Sequence, residues 1–342
     1  MAARRGPGAR PMFGGARRQT PERIGFLLIA DFSMIAFTSS VEPLRMANRL
    51  AGQRLYDWRL MSVDGQPVRA SNGVTVIPDA GLDDVVAGEI PIVCAGINVA
   101  QYGSRRIDAW LRAAARGGAM LGAVCTGSLL LARAGLLDGH RCTIHWEDME
   151  SFAEAFPDLD ITATLFEIDR DRFTCSGGTA PLDMMVHGIA LDHGHALAVG
   201  VAEELLHAFM RHPYDPQRTS LQHRTGISHP KLLAAITQME AFLEAPVSLA
   251  ELAANAGAST RQLERLFHDH LGTTPSRYYL ELRLQRARAL LHQTALPIMQ
   301  VAVACGFASA SHFAKCYRAH YGHTPRAERS AGGPAETAAS AN

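Results

Sequence analysis

An α/β domain built on a doubly wound parallel sheet, followed by an all-α domain, is the fold class that this 342-residue sequence predicts. Three observations carry the prediction. Short continuous apolar runs alternate with amphipathic stretches through residues 23–210, the pattern of parallel strands covered on both faces by helices. Strand signals stop at about His229, and beyond it every periodic stretch reads as helix. Within that second half one helical unit is written twice. The length exceeds the usual single-domain size and agrees with two domains.

Residues 1–22 are rich in Arg, Gly and Pro, have no acidic residue before Glu22 and lack the apolar stretch of a signal peptide. They read as a disordered basic tail, with a DNA-grazing arm and a start at Met12 as alternatives. IGFLLIA (24–30) is a buried strand and VEPLRMANRLA (41–51) a helix. WRLMSVD (58–64) and IPIVCAG (90–96) are further strands. Residues 104–116 are helical, AMLGAVC (119–125) is a strand ending in a turn, and SLLLARAGLL (128–137) is a helix. A short strand pair around 161–175 precedes a helix over 181–191. RHPYDPQRTSLQHRTGIS (211–228) is polar, holds two Pro and lacks periodicity, which places an inter-domain linker there. Residues 229–329 form the helical domain, and 330–342 a second disordered tail.

A hydrophobic fraction of 47% and a charged fraction of 19% are ordinary for a soluble globular chain. No apolar run approaches the ~18–20 residues that span a bilayer, so no membrane partner is expected. A formal net charge of zero hides an uneven distribution. Residues 1–22 carry five Arg and one Glu; residues 23–228 carry 17 basic and 24 acidic side chains; residues 229–342 carry 11 basic and eight acidic, with seven His. A basic end on an acidic body fits a nucleic-acid module carried by a different kind of domain. The six cysteines, Cys94, Cys125, Cys142, Cys175, Cys305 and Cys316, show no CxxC and no paired metal spacing. They read as reduced thiols in a cytoplasm, with neither metal nor cofactor expected.

The repeat has a physical reading. In ASTRQLERLFHDHLGTTP, Leu263, Leu266, Phe267 and Leu271 stand at helical spacing, and fifty residues later Phe313, Cys316, Tyr317 and Tyr321 do the same. Gly272 and Pro275 are matched by Gly322 and Pro325. Upstream, Leu249, Leu252, Ala253, Ala256 and Gly257 correspond to Ile298, Val301, Ala302, Cys305 and Gly306. A short helix ending at a glycine with positive φ, then a second helix capped by Ser259 or Ser309, is a helix-turn-helix. The second helix buries its apolar stripe and leaves Thr260, Arg261, Glu264 and Arg265 exposed, or in the copy Ala310, Ser311, Ala314 and Lys315. Such a helix enters a major groove, where Arg and Lys reach guanine edges. Arg318, one turn beyond Lys315, is placed to meet phosphate. A small helical bundle without DNA binding is the bland alternative.

ALPIMQVAVACGFASASHFAKCYRAHYGHTP resembles the signature of the AraC/XylS regulators, and residues 229–329 resemble their DNA-binding domain throughout. The resemblance implies two helix-turn-helix units joined by a long helix, here about 275–292. It assigns base reading to Arg261, Glu264 and Arg265 in the first unit. In the second it assigns Ala310, Ser311, Ala314 and Lys315. The partners implied are a double-stranded DNA operator and RNA polymerase.

In the front domain GAVCTGS (122–128) lies where a strand turns into a helix, the geometry of a nucleophile elbow. The helix dipole there favours a thiolate, which makes Cys125 a candidate for the most acidic thiol of the chain. His145 in TIHWED is a candidate base and Glu147 a candidate orienting acid, although Glu147 points away if that segment is extended. CSGGTAPLD (175–183) supplies a Gly-rich turn and a helix start suited to an anionic group. A packing cysteine and a structural histidine are the bland readings.

The elbow, the histidine some twenty residues later and the Gly-rich turn resemble the PfpI/ThiJ-like fold, a flavodoxin-like relative of the class I glutamine amidotransferases. Enzymes of that fold carry an essential Glu just after the first strand. Here DFSMIAFTSSVEPLR places Ala36 at that position, with Ser33 before it and Glu42 on the following helix as a substitute. General acid–base catalysis contributes ~10²–10⁴-fold in rate, so the missing carboxylate argues for no catalytic residue. A PfpI-like domain ahead of an AraC-type domain is the arrangement of the GlxA-type regulators. SVEPLRMANRLAG, VRASNG, LLDGHRCTIHW and FEIDRDRFTCSGGTAPLD are most similar to activators responsive to arginine, glycine betaine or carnitine. The resemblance implies a homodimeric transcription regulator with a small-molecule effector. A cationic effector calls for carboxylates and aromatic faces, and Glu42, Trp146, Glu147 and Asp183 are candidates beside Cys125 and His145. A Cys-dependent amidase or hydrolase, or a thiol-based redox regulator, each with a DNA-binding domain, are the alternatives.

Overall fold

The computed structural model describes residues 21–84, 88–294 and 296–331, so most of the two expected tails lies outside the described residues. The chain divides into two compact units, with the division between Gln217 and Arg218.

In the front unit β1 (Glu22–Leu28) is followed by α1 (Met34–Ala51), β2 (Tyr56–Met61), a two-stranded hairpin of β3 (Val68–Arg69) and β4 (Thr75–Val76), and β5 (Ile90–Cys94). Helices α2 (Val99–Tyr102) and α3 (Arg105–Arg116) lead to β6 (Leu121–Val124), a 3-10 turn over Cys125–Gly127 and α4 (Ser128–Arg133). Then come β7 (Arg141–Cys142), α5 (Met149–Ala155), β8 (Asp160–Ile161), β9 (Phe166–Asp169), β10 (Arg172–Cys175), α6 (Ala180–His193) and α7 (His195–Glu204). The main sheet has the order β2-β1-β5-β6-β10-β9. All its pairings are parallel except β10 with β9. This is the doubly wound α/β fold that the sequence predicts.

Alternation within the apolar strands explains why both faces are covered. Ile24, Phe26 and Leu28 of β1 join Ile92 and Cys94 in one core cluster, which also takes in residues of α1, α6 and α7. Leu27, Val93, Leu121 and Ala123 face the other way, into a cluster with Ile107, Leu111, Leu130 and Leu131 of α3 and α4. Strand order changes direction at β1 and β5, so the carboxyl ends of β1, β5 and β6 frame a crevice of the kind in which such sheets bind ligands.

Two elements differ from the sequence reading. Helix α1 begins at Met34 instead of Val41, capped by Ser33, whose Oγ accepts from Ala36 N–H. Pro43 lies inside the helix. The polar stretch 211–228 is also not a free connection. Residues up to Gln217 are hydrogen-bonded to the front unit, α8 (Leu221–Thr225) is helical, and Ile227 is buried in the second unit.

The second unit continues with α9 (Pro230–Ala241), α10 (Leu249–Asn255), α11 (Thr260–Leu271), α12 (Pro275–Gln293), α13 (Ile298–Ala304), α14 (Ala310–Tyr321) and α15 (Pro325–Ala331). It has two cores. Leu252, Leu263, Phe267 and Tyr279 belong to the first; Leu284, Val301, Phe313 and Tyr317 belong to the second. Helix α12 supplies residues to both. The local chemistry is duplicated with the sequence: Gly257 and Gly306 take φ of +65° and +72° between the paired helices. Ser259 Oγ caps α11 and Ser309 Oγ caps α14. Thr274 and Thr324 cap the helices that follow.

Candidate functional site

Two surfaces carry the chemistry, one in each unit. On α11, Leu263, Leu266 and Phe267 are buried, and Arg261, Glu264 and Arg265 share the exposed face. On α14, Phe313 and Tyr317 are buried, Ser311, Lys315 and Arg318 are exposed, and Ala310 and Ala314 are half-buried. The sequence-predicted reading residues therefore fall on two separate helices, each free along its polar side.

Each helix-turn-helix is braced by a cation that the motif comparison did not single out. Lys231 Nζ donates to Gly257 O at 2.5 Å. Arg283 Nε and Nη2 donate to Cys305 O and Gly306 O, both at 2.7 Å, and its guanidinium lies 4.0 Å from the centroid of Phe307. Gly306 adds a steric lock. A Cβ there would stand 2.6 Å from Leu243 O and from Pro246, so the second turn sits directly against the loop after α9. Buried Glu328 closes the last unit, taking hydrogen bonds or ion pairs from Arg288 (3.1 Å), His292 (2.8 Å), Tyr317 (2.8 Å) and His323.

In the front unit the elbow is present. Cys125 is buried and adopts φ of +58°, which a β-carbon disfavours. Asp31 and Asn98, at the ends of β1 and β5, have the same left-handed backbone at +60° and +59°. Such strain concentrates at binding sites. Small neighbours make the elbow feasible: a Cβ on Gly127 would lie 2.4 Å from Val93 O. One on Gly177 would lie 2.8 Å from Cys125 Cβ, which puts the Gly-rich turn against the cysteine.

The thiol itself corrects the sequence reading. Burial, then the charge of Asp148, push Cys125 up to about 12 despite a hydrogen bond from the Thr126 backbone. Helix α4 has only six residues and follows a 3-10 turn, so its dipole does not offset desolvation.

Residues 145–148 form a turn closed by Asp148 N–H to His145 O, not an extended strand. That turn brings Glu147 Oε2 within 3.8 Å and Asp148 Oδ2 within 4.0 Å of His145 Nδ1. Burial lowers the His145 pKa against the pull of Glu147. Burial and then Glu147 raise Asp148 to about 7. Asp148 is the residue that the sequence reading missed; its signal was the spacing of three from His145, which only a turn exploits. The Trp146 ring lies 5.6 Å from that of His145.

Three other candidates are placed elsewhere. Ala36 is buried in the first turn of α1, in the same apolar cluster as Cys125, so no carboxylate stands there. Glu42 pairs with Arg45 on the half-exposed side of α1. Asp183 is buried and already neutralised, accepting from His207 Nε2 (2.7 Å) and from Arg211 N, Nε and Nη2 (2.8, 2.9 and 2.6 Å). The start of α6, expected to suit an anionic ligand group, thus holds the chain's own carboxylate.

A doubly wound α/β unit with a strained elbow, followed by duplicated helix-turn-helix units, defines the class of DNA-binding transcription regulators. Comparison with known proteins agrees. Residues 22–188 match the DJ-1/PfpI family and residues 252–331 a helix-turn-helix domain. The chain is 50% identical over 313 residues to the HTH-type transcriptional regulator GbdR of Pseudomonas aeruginosa, covering 92% of this chain and 85% of that one. It is 40% identical over 309 residues to the HTH-type transcriptional regulator GlxA of Rhizobium meliloti, covering 89% and 94%. A crystal structure of an AraC family regulator from Pseudomonas putida matches 54% of this chain and 100% of its own, with 30% identity and a TM-score of 0.50. The chain belongs to the GlxA-type family of transcription regulators, a DJ-1/PfpI unit joined to an AraC-type DNA-binding unit. Among the described residues no helix is long and apolar enough to cross a membrane.

Proposed function

We propose that this regulator is switched by a small cationic, nitrogen-containing metabolite held beside Cys125, which it binds without consuming. The carrying observation is electrostatic. The charges bearing on Cys125 and Asp148 are all acidic, namely Glu147 and Asp148 themselves, and His145 is held toward its neutral form. A half-buried carboxylate raised to about 7 gains from a cation, and the Trp146 face offers cation–π attraction. Cys125, His145, Trp146, Glu147 and Asp148 line that site; Glu42 is left to Arg45. The absent carboxylate at Ala36 and the thiol pushed up by burial favour binding over turnover, so the protein is no enzyme. We place it in the cytoplasm as a homodimer that activates RNA polymerase at an operator, a stoichiometry that sedimentation velocity checks.

The proposed site sets the pH dependence of effector binding. As pH falls through about 7, Asp148 takes up a proton and loses the charge that holds the cation. Affinity for glycine betaine, carnitine or arginine is expected to fall toward tenfold per pH unit below 7 and to level off above it. Calorimetric titrations at pH 5.5, 6.5 and 8 check this, with Asp148→Asn expected to remove the pH dependence. Binding that strengthens toward low pH would sink the cation reading.

Base reading is assigned to Arg261, Glu264, Arg265, Ser311 and Lys315, and phosphate contact to Arg318. Arg265→Ala is expected to cost ~1–3 kcal/mol of operator binding and to relax preference at one base position. Arg318→Ala is expected to weaken all sequences alike and to flatten the salt dependence by about one phosphate. Binding selections with both variants read the difference; identical sequence-independent losses would show that α11 faces the DNA differently.

A further inference from the structure

Segment 207–217 is the last stretch of the front unit before the chain enters the DNA-reading unit at Arg218. Most of its side chains are exposed. His207, Arg211, Pro213 and Gln217 are turned inward and bond to the fold, and exposed Tyr214 adds a hydrogen bond with Arg141. His207 and Arg211 hold Asp183 in the first turn of α6, and Arg211 Nη2 also donates to Thr179 Oγ1 at 2.8 Å. Thr179 lies two residues and Asp183 six residues beyond Gly177, the glycine packed against Cys125. Pro213 O accepts from Leu165 N, and Leu165 O accepts from Ser176 N, one residue before Gly177, both at 2.8 Å.

Gln217 forms the second anchor. Its Nε2 points at Thr143 Oγ1 (3.0 Å), Ile144 O (3.1 Å) and Thr164 O (2.8 Å). Ile144 is the residue before His145. Thr143 is tied in turn to the elbow, because its carbonyl accepts from Ser128 Oγ at 2.7 Å, and to the sheet through Thr174 Oγ1 at 2.8 Å. The two turns beside the proposed effector site, the Gly-rich turn and the 145–148 turn, therefore lie within a few residues of groups that hold the exit segment.

We propose that residues 207–217 are a coupling strap, with Asp183–Arg211 and Gln217 as its two anchors, through which occupancy of the Cys125 pocket reaches the DNA-reading unit. The inference rests on the effector-binding reading above. An effector that moves the 145–148 turn or the Gly177 turn shifts the acceptors that Arg211 and Gln217 hold. Hydrogen bonds of this kind are made or broken, so the strap has discrete attached and released states, and the effector biases them only by binding one better than the other.

The test uses the full chain with glycine betaine, carnitine and arginine as probes. Binding is read by calorimetry, operator affinity by anisotropy, and output by a reporter behind the regulated promoter. Gln217→Met keeps the side chain's length and removes the anchor. It is expected to bind the active probe within about threefold of wild type and the operator within about twofold, and to lose at least fivefold of the reporter response. Arg211→Met is expected to do the same. Hydrogen exchange on the wild-type protein gives a readout that needs no variant: saturating probe is expected to change protection in peptides spanning 207–217. Wild-type responses in both variants, parallel loss of probe binding and response, or unchanged exchange across 207–217 would each overturn the strap. If the wild type binds none of the three probes, the effector reading falls, and the strap falls with it.

Discussion

Replacing Glu328 with alanine is expected to destabilise the DNA-reading unit by about 3–5 kcal/mol, the usual cost of removing one partner from a buried charged network. Four groups lose their shared acceptor, and fully buried Tyr317 is left with an unsatisfied hydroxyl. Burial alone would raise this carboxyl, but hydrogen bonds from His323, Tyr317 and Arg288 and the Arg288 charge hold it down at about 2. Its folded pKa thus lies below the usual 4.5, so its contribution is fully present above pH ~5 and is lost as pH falls toward 2. Glu328→Gln keeps the shape, and its side-chain oxygen still accepts, but it gives up the charge, so it is expected to lose less. The distribution of tryptophan allows the effect to be localised. Trp58, Trp110 and Trp146 all lie in the front unit. Denaturant unfolding followed by tryptophan fluorescence is expected to be unchanged in Glu328→Ala, while the circular dichroism transition of the helical unit moves to lower denaturant. A coincident shift of both signals would place the damage elsewhere.

The second large effect is expected at Cys125. Cys125→Ser keeps nearly the same volume and a hydrogen-bonding group, and is expected to retain the effector response with a modest change in effector affinity. Cys125→Trp fills the space against Gly177 and is expected to abolish the response, yet to leave operator binding by residues 218–342 intact. Reporter assays on both variants, with mass spectrometry of the effector after long incubation with wild type, read the outcome. Consumption of the effector, or loss of response in the Ser variant alone, would restore the amidase or redox reading.

Much of this was legible in residue order because the signals were local. Apolar runs marked β1, β5 and β6, and the Gly–Ser–Leu/Phe–Gly–Pro pattern written twice marked both helix-turn-helix units with their caps. What was not legible depends on contacts far apart in the chain. The apolar pattern placed the start of the first helix at Val41, and only the Ser33 cap on Ala36 N–H shows that α1 starts at Met34. Cys125 looked acidic from the helix beside it, whereas burial and Asp148 decide its state. Asp183 looked available for a ligand until Arg211, 28 residues on, was seen to occupy it. The polar stretch 211–228 looked like a linker because its anchors face inward only at every few residues.

One measurement bears most directly on effector control: in vitro transcription from the regulated promoter with purified protein and RNA polymerase, titrated with glycine betaine, carnitine and arginine. The expected result is a several-fold change in transcript with at least one compound, saturable, weakened by Asp148→Asn, with the compound recovered unchanged. Transcript levels indifferent to all three compounds, together with operator binding that none of them alters, would contradict a ligand-switched regulator.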